Sequence, residues 1–208
     1  MKLLVDENKL ENIKIKATEN FVPILQDDSL KLIEVILHMA KPKKILEIGT
    51  AVGYSAAIFA KYLEIDENNK KDSYIKTIER NEKRFKTATE NITALDLDEY
   101  IIPVFADATE YLTNLKEDNT YDVIFIDAAK GQYMVFLNEA KRLIKSGGVI
   151  IADNVLFKGR VLGGYNEHRH RTAVTRLREY IDDINDDKML DSVVLNIGDG
   201  VAISIVNK

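Results

Sequence analysis

The stretch LEIGTAVGYSA, residues 46–56, joins the end of an apolar run to the start of a helical pattern. Its glycines, Gly49 and Gly53, let the backbone turn tightly and approach a ligand, and the following helix offers free N–H groups. Tight packing of the strand on the helix is the alternative reason for them. Ala51 stands where the dinucleotide fingerprint has its second glycine, so the stretch predicts a nucleotide-binding turn but disfavours NAD.

Apolar runs and helical patterns alternate along the chain. Strand-like runs lie at 44–49, 74–79, 101–106, 121–127 and 147–153, and helical patterns lie near 54–63, 80–95, 107–116, 131–145 and 170–184. This alternation predicts an α/β fold, a parallel sheet with helices on both faces. Gly147 and Gly148 are expected to end the helix at 131–145. Two further strand patterns, joined at Asp199-Gly200, predict a C-terminal antiparallel hairpin.

Length and composition exclude several classes of protein. The 208 residues fit a single domain over 1–208, with the two helical stretches of residues 1–40 as an N-terminal extension. The chain has no cysteine, so disulfides, thiolate catalysis and cysteine-ligated zinc are excluded. No secretory segment is recognisable, and no apolar run approaches the roughly 20 residues that span a bilayer. We expect a cytoplasmic protein without membrane contact.

The charge is distributed unevenly. The whole chain has a formal charge of −5, but residues 158–178 contain six lysines and arginines and one glutamate, a local charge of +5. One basic segment on an acidic protein can bind an anionic partner.

Acidic side chains stand at the ends of all five predicted parallel strands. These residues are Glu47, Glu79, Asp107, Asp127 and Asp153, the last followed by Asn154. Because such strand ends meet at one edge of the sheet, we expect a binding site there, with Glu79 placed for ribose hydroxyls. Asp107 could instead cap a helix, and the two roles can coexist. Asp153-Asn154 alone could form a solvated turn.

Asp127, Asp153 and Asn154 together offer three oxygen ligands, and no histidine or cysteine lies nearby in sequence. An all-oxygen set favours a hard divalent cation, Mg²⁺ before Ca²⁺. Lys130 follows Asp127 by three residues, and an amine near a cation loses its proton more easily, so it is a candidate base. The alternative is a solvated lysine at the start of a helix.

Four motifs carry a resemblance to a known family: KKILEIGTAVGYSA (43–56), TIERNEKR (77–84), YDVIFIDAAKGQY (121–133) and GGVIIADNVLFKGRV (147–161). Together they resemble the cation-dependent S-adenosylmethionine O-methyltransferases, which include the catechol and caffeoyl-CoA O-methyltransferases. The similarity extends from about Val22 to the C-terminus. Within that family, TIERNEKR, DAAKGQY, DNVLFKG and GDGVAIS are most similar to the bacterial tRNA 5-hydroxyuridine methyltransferases.

The resemblance implies a class I methyltransferase fold, with a seven-stranded, mostly parallel sheet, and roles for matching residues. Those expected to hold the methionine portion of S-adenosylmethionine are Glu47, Gly49, Gly53, Tyr54 and Ser55. Glu79 would bind the ribose, and Asp107 and Ala108 the adenine. Asp127 would border the cofactor and, with Asp153 and Asn154, hold Mg²⁺. Lys130 would be the catalytic base.

The expected substrate is 5-hydroxyuridine in tRNA, whose 5-hydroxyl and 4-carbonyl form a neighbouring pair of oxygens. A small catechol-like phenol offers a similar pair, but it does not require the basic segment 158–178, which is expected to contact the tRNA. A nucleotide-binding protein without catalysis is the third alternative, and the joint presence of the metal ligands and Lys130 argues against it. The resemblance also suggests a homodimer.

Overall fold

Seven strands form one sheet in the computed structural model of the chain, which describes residues 3–66, 69–163 and 170–208. They are β1 (Lys44–Ile48), β2 (Tyr74–Glu79), β3 (Ile101–Phe105), β4 (Tyr121–Ile126), β5 (Ile144–Asp153), β6 (Leu190–Leu195) and β7 (Val201–Val206). Their order is β3-β2-β1-β4-β5-β7-β6. Only β7 runs antiparallel to its neighbours. The predicted sheet, mostly parallel with a C-terminal hairpin, is confirmed.

Helices cover both faces of this sheet. They are α1 (Glu7–Glu19), α2 (Asp27–Ala40), α3 (Tyr54–Ala60), α4 (Glu82–Ala94), α5 (Ala108–Asn114), α6 (Tyr133–Leu143) and α7 (Arg171–Asp186). The first four pack on one face with Phe125 of β4, and the last three pack on the other with Ile124. Because successive residues of a strand point to opposite faces, a central strand of this sheet is apolar at nearly every position.

The start of β5 differs from the prediction. The helix pattern at 131–145 ends at Leu143, and the strand begins at Ile144 rather than at Gly147. The register between β4 and β5 shifts near this point. Gly148 packs so closely that an added Cβ would lie 2.6 Å from Cγ1 of Ile144. The glycine pair therefore serves an irregular strand and does not end the helix.

The connection between β6 and β7 is also longer than predicted. It comprises residues 196–200, not a two-residue turn at Asp199-Gly200. Gly198 and Gly200 have φ values of 56° and 93°, the left-handed region that glycine adopts readily. Backbone N–H groups of Val155 and Leu156 donate to carbonyls of this connection, so the loop after β5 rests on it.

The helices α1 and α2 share the core of the face that they cover. Leu10, Ile33 and Leu37 belong to the same buried cluster as Ile45 of β1. The division into one domain with residues 1–40 as an extension stays a prediction. In the described ranges, no helix is both long enough and apolar enough to cross a membrane.

Candidate active site

A cavity of about 390 Å³ lies at the carboxyl edge of β1, β2, β3 and β4. Predicted site residues that line it are Gly49, Tyr54, Ser55, Glu79, Asp107, Ala108, Asp127, Lys130 and Asn154. Glu47, Gly53 and Asp153 are not part of the lining. The structure thus brings most of the predicted residues to one place, at the edge where parallel sheets bind ligands.

Gly49 permits the close approach of β1 to the end of β4. Its φ is +108°, and an added Cβ would lie 2.1 Å from the carbonyl oxygen of Asp127. Its N–H donates to the carbonyl of Ile78 at 3.1 Å, which ties the turn to β2. No larger residue fits here without moving the strand ends that carry the site.

Glu47 lies behind the cavity wall rather than on it. Its buried carboxyl accepts hydrogen bonds from Ser55 Oγ and Thr77 Oγ1, both at 2.5 Å. Burial raises the pKa of this carboxyl to about 7, although both hydroxyl groups act in the opposite direction. The hydroxyl oxygens of Thr77 and Thr50 are 2.6 Å apart. Hydroxyl groups thus link Glu47 to the cavity: Ser55 bonds to it directly, Thr50 is connected to it through Thr77, and both Ser55 and Thr50 line the cavity.

Glu79 is fixed at the cavity wall by backbone donors. Its Oε2 accepts from the N–H of Ala51 at 3.0 Å, and its Oε1 accepts from the N–H of Asn81 at 2.8 Å. Only 7% of the residue is exposed. A carboxylate held in this way keeps lone pairs for the hydroxyl groups of a ligand.

Asp107 lies where both of its predicted roles are possible. It caps α5, because its Oδ1 accepts from the N–H of Thr109 at 2.9 Å, and it also lines the cavity. Its Oδ2 lies 3.5 Å from a guanidinium nitrogen of Arg80. Arg80 and Arg84 line the same cavity, and although both belong to the motif TIERNEKR, neither was assigned a role from the sequence.

The amine of Lys130 joins the predicted metal ligands. Its Nζ lies 2.9 Å from Asp127 Oδ1 and 2.9 Å from Asn154 Oδ1. It also donates to the hydroxyl of Tyr133 at 2.7 Å, and that hydroxyl donates to the backbone carbonyl of Asp153 at 2.7 Å. Tyr133 is fully buried, so it supports the site and offers no face for stacking.

The carboxyl of Asp153 is almost fully buried and only half satisfied. Its Oδ2 accepts from Asn154 Nδ2 at 3.0 Å, but Oδ1 has no hydrogen-bond partner among the described residues. Burial, together with the nearby Asp127, raises the pKa of this carboxyl to about 6. An unpaired buried oxygen beside a second carboxylate suits a cation.

These oxygens fit a hard divalent cation, since all three predicted ligands offer oxygen. Across the described ranges, no cluster of three or more His, Cys, Asp or Glu residues is placed to hold a metal. The set formed here has two carboxylates, and its third member is the amide of Asn154. Mg²⁺ normally keeps several waters and takes only one or two protein carboxylates.

The cavity has a cover that the sequence did not reveal. Pro23, Ile24 and Leu25, in the connection between α1 and α2, line it together with Gln132 and Phe136. Gln132 and Phe136 follow the end of β4 closely. Residues 23–25 are distant in sequence from the strand ends, and no local pattern predicts their contact with the site.

Some arginines of the basic segment 158–178 form contacts with other groups of the protein. Arg178 donates to the backbone carbonyls of Val161, at 3.1 Å, and of Gly163. Arg176 donates to Glu179 at 2.6 Å. The guanidinium of Arg160 lies over the ring of Phe157, 5.1 Å from its centroid. At least three of the described basic residues of this segment are thus engaged in intramolecular contacts.

Lys158 and Arg171 of the same segment are exposed. Arg169 falls in residues 164–169, which lie outside the described residues. The predicted contact of this segment with tRNA stays a prediction.

The sheet order, the reversed last strand and the cavity at the strand ends define a class I methyltransferase fold. The family model described as O-methyltransferase matches residues 5–207, and the chain belongs to this family. A catechol O-methyltransferase of Niastella koreensis is 31% identical over 183 residues, covering 85% of this chain and 79% of that protein. A caffeoyl-CoA O-methyltransferase of Stellaria longipes is 28% identical over 180 residues, covering 82% and 71%.

A solved structure agrees with this assignment. The O-methyltransferase from Bacillus cereus in complex with SAH has a TM-score of 0.84 and 25% sequence identity, and the match covers 99% of this chain and 93% of that one. The chain is therefore an O-methyltransferase that uses S-adenosylmethionine. The predicted family, enzyme class and methyl donor are confirmed.

Proposed function

We propose that the chain methylates one of two neighbouring oxygens of its substrate with the help of a divalent cation, and that this substrate is 5-hydroxyuridine in tRNA. One observation carries the proposal of a cation. Asp127 Oδ1 and Asn154 Oδ1 both lie 2.9 Å from a single ammonium nitrogen, and the adjacent Asp153 keeps a buried oxygen without a partner.

The cofactor would lie in the cavity of about 390 Å³. Glu79 would accept hydrogen bonds from the ribose hydroxyls, and Asp107 and Ala108 would border the adenine. Tyr54 and Ser55 would contact the methionine portion. Bound S-adenosylmethionine supplies the methyl group, and the protein's part is to orient it toward the substrate oxygen.

A divalent cation held by Asp127, Asp153 and Asn154 would supply the charge that favours the ionised hydroxyl of the substrate. Lys130 would take up the proton as a neutral amine. Its nitrogen is within hydrogen-bonding distance of Asp127 and Asn154, and all three residues line the cavity in which the cofactor would lie.

Sequence similarity and charge support tRNA as the substrate. The motifs around Glu79, Lys130 and Asn154 are most similar to those of tRNA 5-hydroxyuridine methyltransferases, and Lys158 and Arg171 are exposed cations in the segment after the metal ligands. A small catechol-like phenol is the second candidate. The printed names of the relatives favour it, as does the intramolecular pairing of two arginines of the basic segment.

Nucleoside mass spectrometry of tRNA from cells with and without the gene decides between the candidates. If tRNA is the substrate, loss of the gene removes 5-methoxyuridine and 5-hydroxyuridine accumulates. Unchanged tRNA, together with methylation of a catechol by the purified protein, would assign the phenol instead.

The contact with tRNA can be tested separately by its salt dependence. Replacing Arg171 with alanine removes an exposed cation, and Arg176→Ala is the matched control because Arg176 pairs with Glu179. Each lost phosphate contact flattens the plot of log affinity against log salt by roughly 0.7–0.9. An equal effect of both variants would remove Arg171 from the RNA surface. The predicted homodimer and cytoplasmic location stay predictions.

A further inference from the structure

Two buried polar atoms lack hydrogen-bond partners among the described residues, one on α2 and the other at the end of β5. Ser29 Oγ and Asp153 Oδ1 are both buried, and neither has a hydrogen-bond partner in the described part of the chain. Both lie at the connection between β6 and β7, because a Cβ on Gly198 would be 2.6 Å from Ser29 Oγ and Asp153 pairs with Val201. Burial raises the pKa of the Asp153 carboxyl, and the Ser29 hydroxyl is close enough to act in the opposite direction, but Ser29 Oγ and Asp153 Oδ1 do not meet hydrogen-bond geometry. An unpaired buried polar group costs about 1–3 kcal/mol, and two in one place require an explanation.

Ser29 is held firmly on its own side of this contact. It lies in the first turn of α2, whose Ile33 and Leu37 are buried in the core. The hairpin connection closes the other side, because an added Cβ on Gly198 would lie 2.6 Å from Ser29 Oγ. The carboxylate of Asp153 is held by Asn154, whose Nδ2 donates to Oδ2 at 3.0 Å, while Oδ1 has no hydrogen bond among the described residues.

We propose that Ser29 is a positioning residue for Asp153: when Oδ1 of this carboxylate faces a divalent cation, the Ser29 hydroxyl donates a hydrogen bond to the second lone pair of the same oxygen and fixes its orientation. The inference rests on the cation-dependent function proposed above. Carboxylates that bind metals are commonly held by such outer hydrogen bonds. The helix α2 then becomes part of the metal site, although no metal ligand lies on it.

Binding of Mn²⁺ tests this without any measurement of activity. Free Mn²⁺ is titrated by electron paramagnetic resonance in the presence of S-adenosylhomocysteine, with the wild-type protein and the Ser29→Ala variant. We expect Ser29→Ala to weaken Mn²⁺ binding about tenfold or more. Its affinity for S-adenosylhomocysteine without metal should not change.

Ser73→Ala is the matched control. Ser73 is fully buried, and its hydroxyl donates to the carbonyl of Glu64 at 2.6 Å. It precedes β2, at the opposite edge of the sheet from the metal ligands. Ser73→Ala should lower stability and leave Mn²⁺ affinity unchanged.

Thermal unfolding separates positioning from a general structural role. Without metal, Ser29→Ala should be at least as stable as the wild type, because it removes an unsatisfied buried hydroxyl. Addition of Mn²⁺ and S-adenosylhomocysteine should raise the Tm of the wild type more than that of Ser29→Ala, because the wild type binds the ion more tightly. If Ser29→Ala lowers the Tm equally with and without these ligands, Ser29 contributes only to packing.

The outcomes also distinguish the inference from the function on which it rests. If the wild type binds Mn²⁺ and Ser29→Ala binds it equally well, the role of Ser29 is wrong and the metal site stands. If the wild type binds no Mn²⁺, the proposed cation-dependent function fails, and this inference fails with it.

Discussion

Replacing Glu47 with glutamine should change how the stability of the protein depends on pH. The folded structure raises the pKa of this buried carboxyl from an ordinary value of 4.5 to about 7. The folded state therefore holds the proton more tightly than the unfolded chain. The contribution of this proton to the free energy of unfolding is fully present below a pH of about 4.5 and is lost as the pH rises to about 7. Glutamine stays neutral and avoids this loss.

The size of the effect follows from the shift in pKa. Each unit corresponds to about 1.4 kcal/mol, so the stability of Glu47→Gln relative to the wild type should rise by about 2–3 kcal/mol between about pH 5 and pH 8. The raised pKa of Asp153 acts in both proteins and cancels in the difference.

Urea unfolding of the two proteins across this pH range measures the effect. For an m-value of about 2 kcal/mol/M, the difference in midpoint should change by roughly 1 M. Glu90→Gln, at an exposed position on α4, is the control and should give a small difference that does not vary with pH. A constant difference between Glu47→Gln and the wild type would refute the proposed cost of ionising Glu47.

Three further substitutions test other parts of the structure. Glu79→Ala should weaken binding of S-adenosylhomocysteine in calorimetry, since a hydrogen bond to a charged group is worth about 1.5–3 kcal/mol. Arg142→Ala should lower the free energy of unfolding by about 1–3 kcal/mol in urea titrations, because its guanidinium donates to two backbone carbonyls at the end of α5. Arg178→Ala should speed proteolysis of the segment around residues 160–163, whereas Arg176→Ala, which breaks only a surface ion pair, should not.

Each of these expectations has a contrary result. Unchanged affinity in Glu79→Ala would remove Glu79 from the cofactor site. An unfolding midpoint equal to that of the wild type would show that solvent replaces Arg142 at the carbonyls of α5. Equal proteolysis of the two arginine variants would mean that Arg178 does not hold the segment.

The sheet could be predicted from the sequence because each strand has its own local pattern of apolar residues. A run such as YDVIFI in β4 is buried on both faces, and the acid that follows it has few places to lie other than the edge of the sheet. Asp107 was assigned both as a cap and as a site residue, and it lines the cavity while capping α5.

Local patterns failed where two distant segments decide the outcome. The pair Gly147-Gly148 is typical of a helix end, but in the structure both residues lie within β5. Gly148 packs against β4, because its added Cβ would lie 3.0 Å from the carbonyl oxygen of Asp122. The hydroxyl groups that surround Glu47 come from α3 and β2, so its partners were not predicted, and its role toward the cofactor stays a prediction. The cover formed by residues 23–25 depends on how α1 and α2 pack, which no local motif encodes.

The central claim is that methyl transfer depends on a cation held by Asp127, Asp153 and Asn154. The most direct measurement is transfer of labelled methyl groups from S-adenosylmethionine to tRNA isolated from cells that lack the gene, with excess EDTA or with Mg²⁺. The proposed function predicts no 5-methoxyuridine in EDTA, full recovery on adding Mg²⁺, and no product from a folded Asp153→Ala variant that still binds S-adenosylhomocysteine. Formation of 5-methoxyuridine at the full rate in excess EDTA would contradict it.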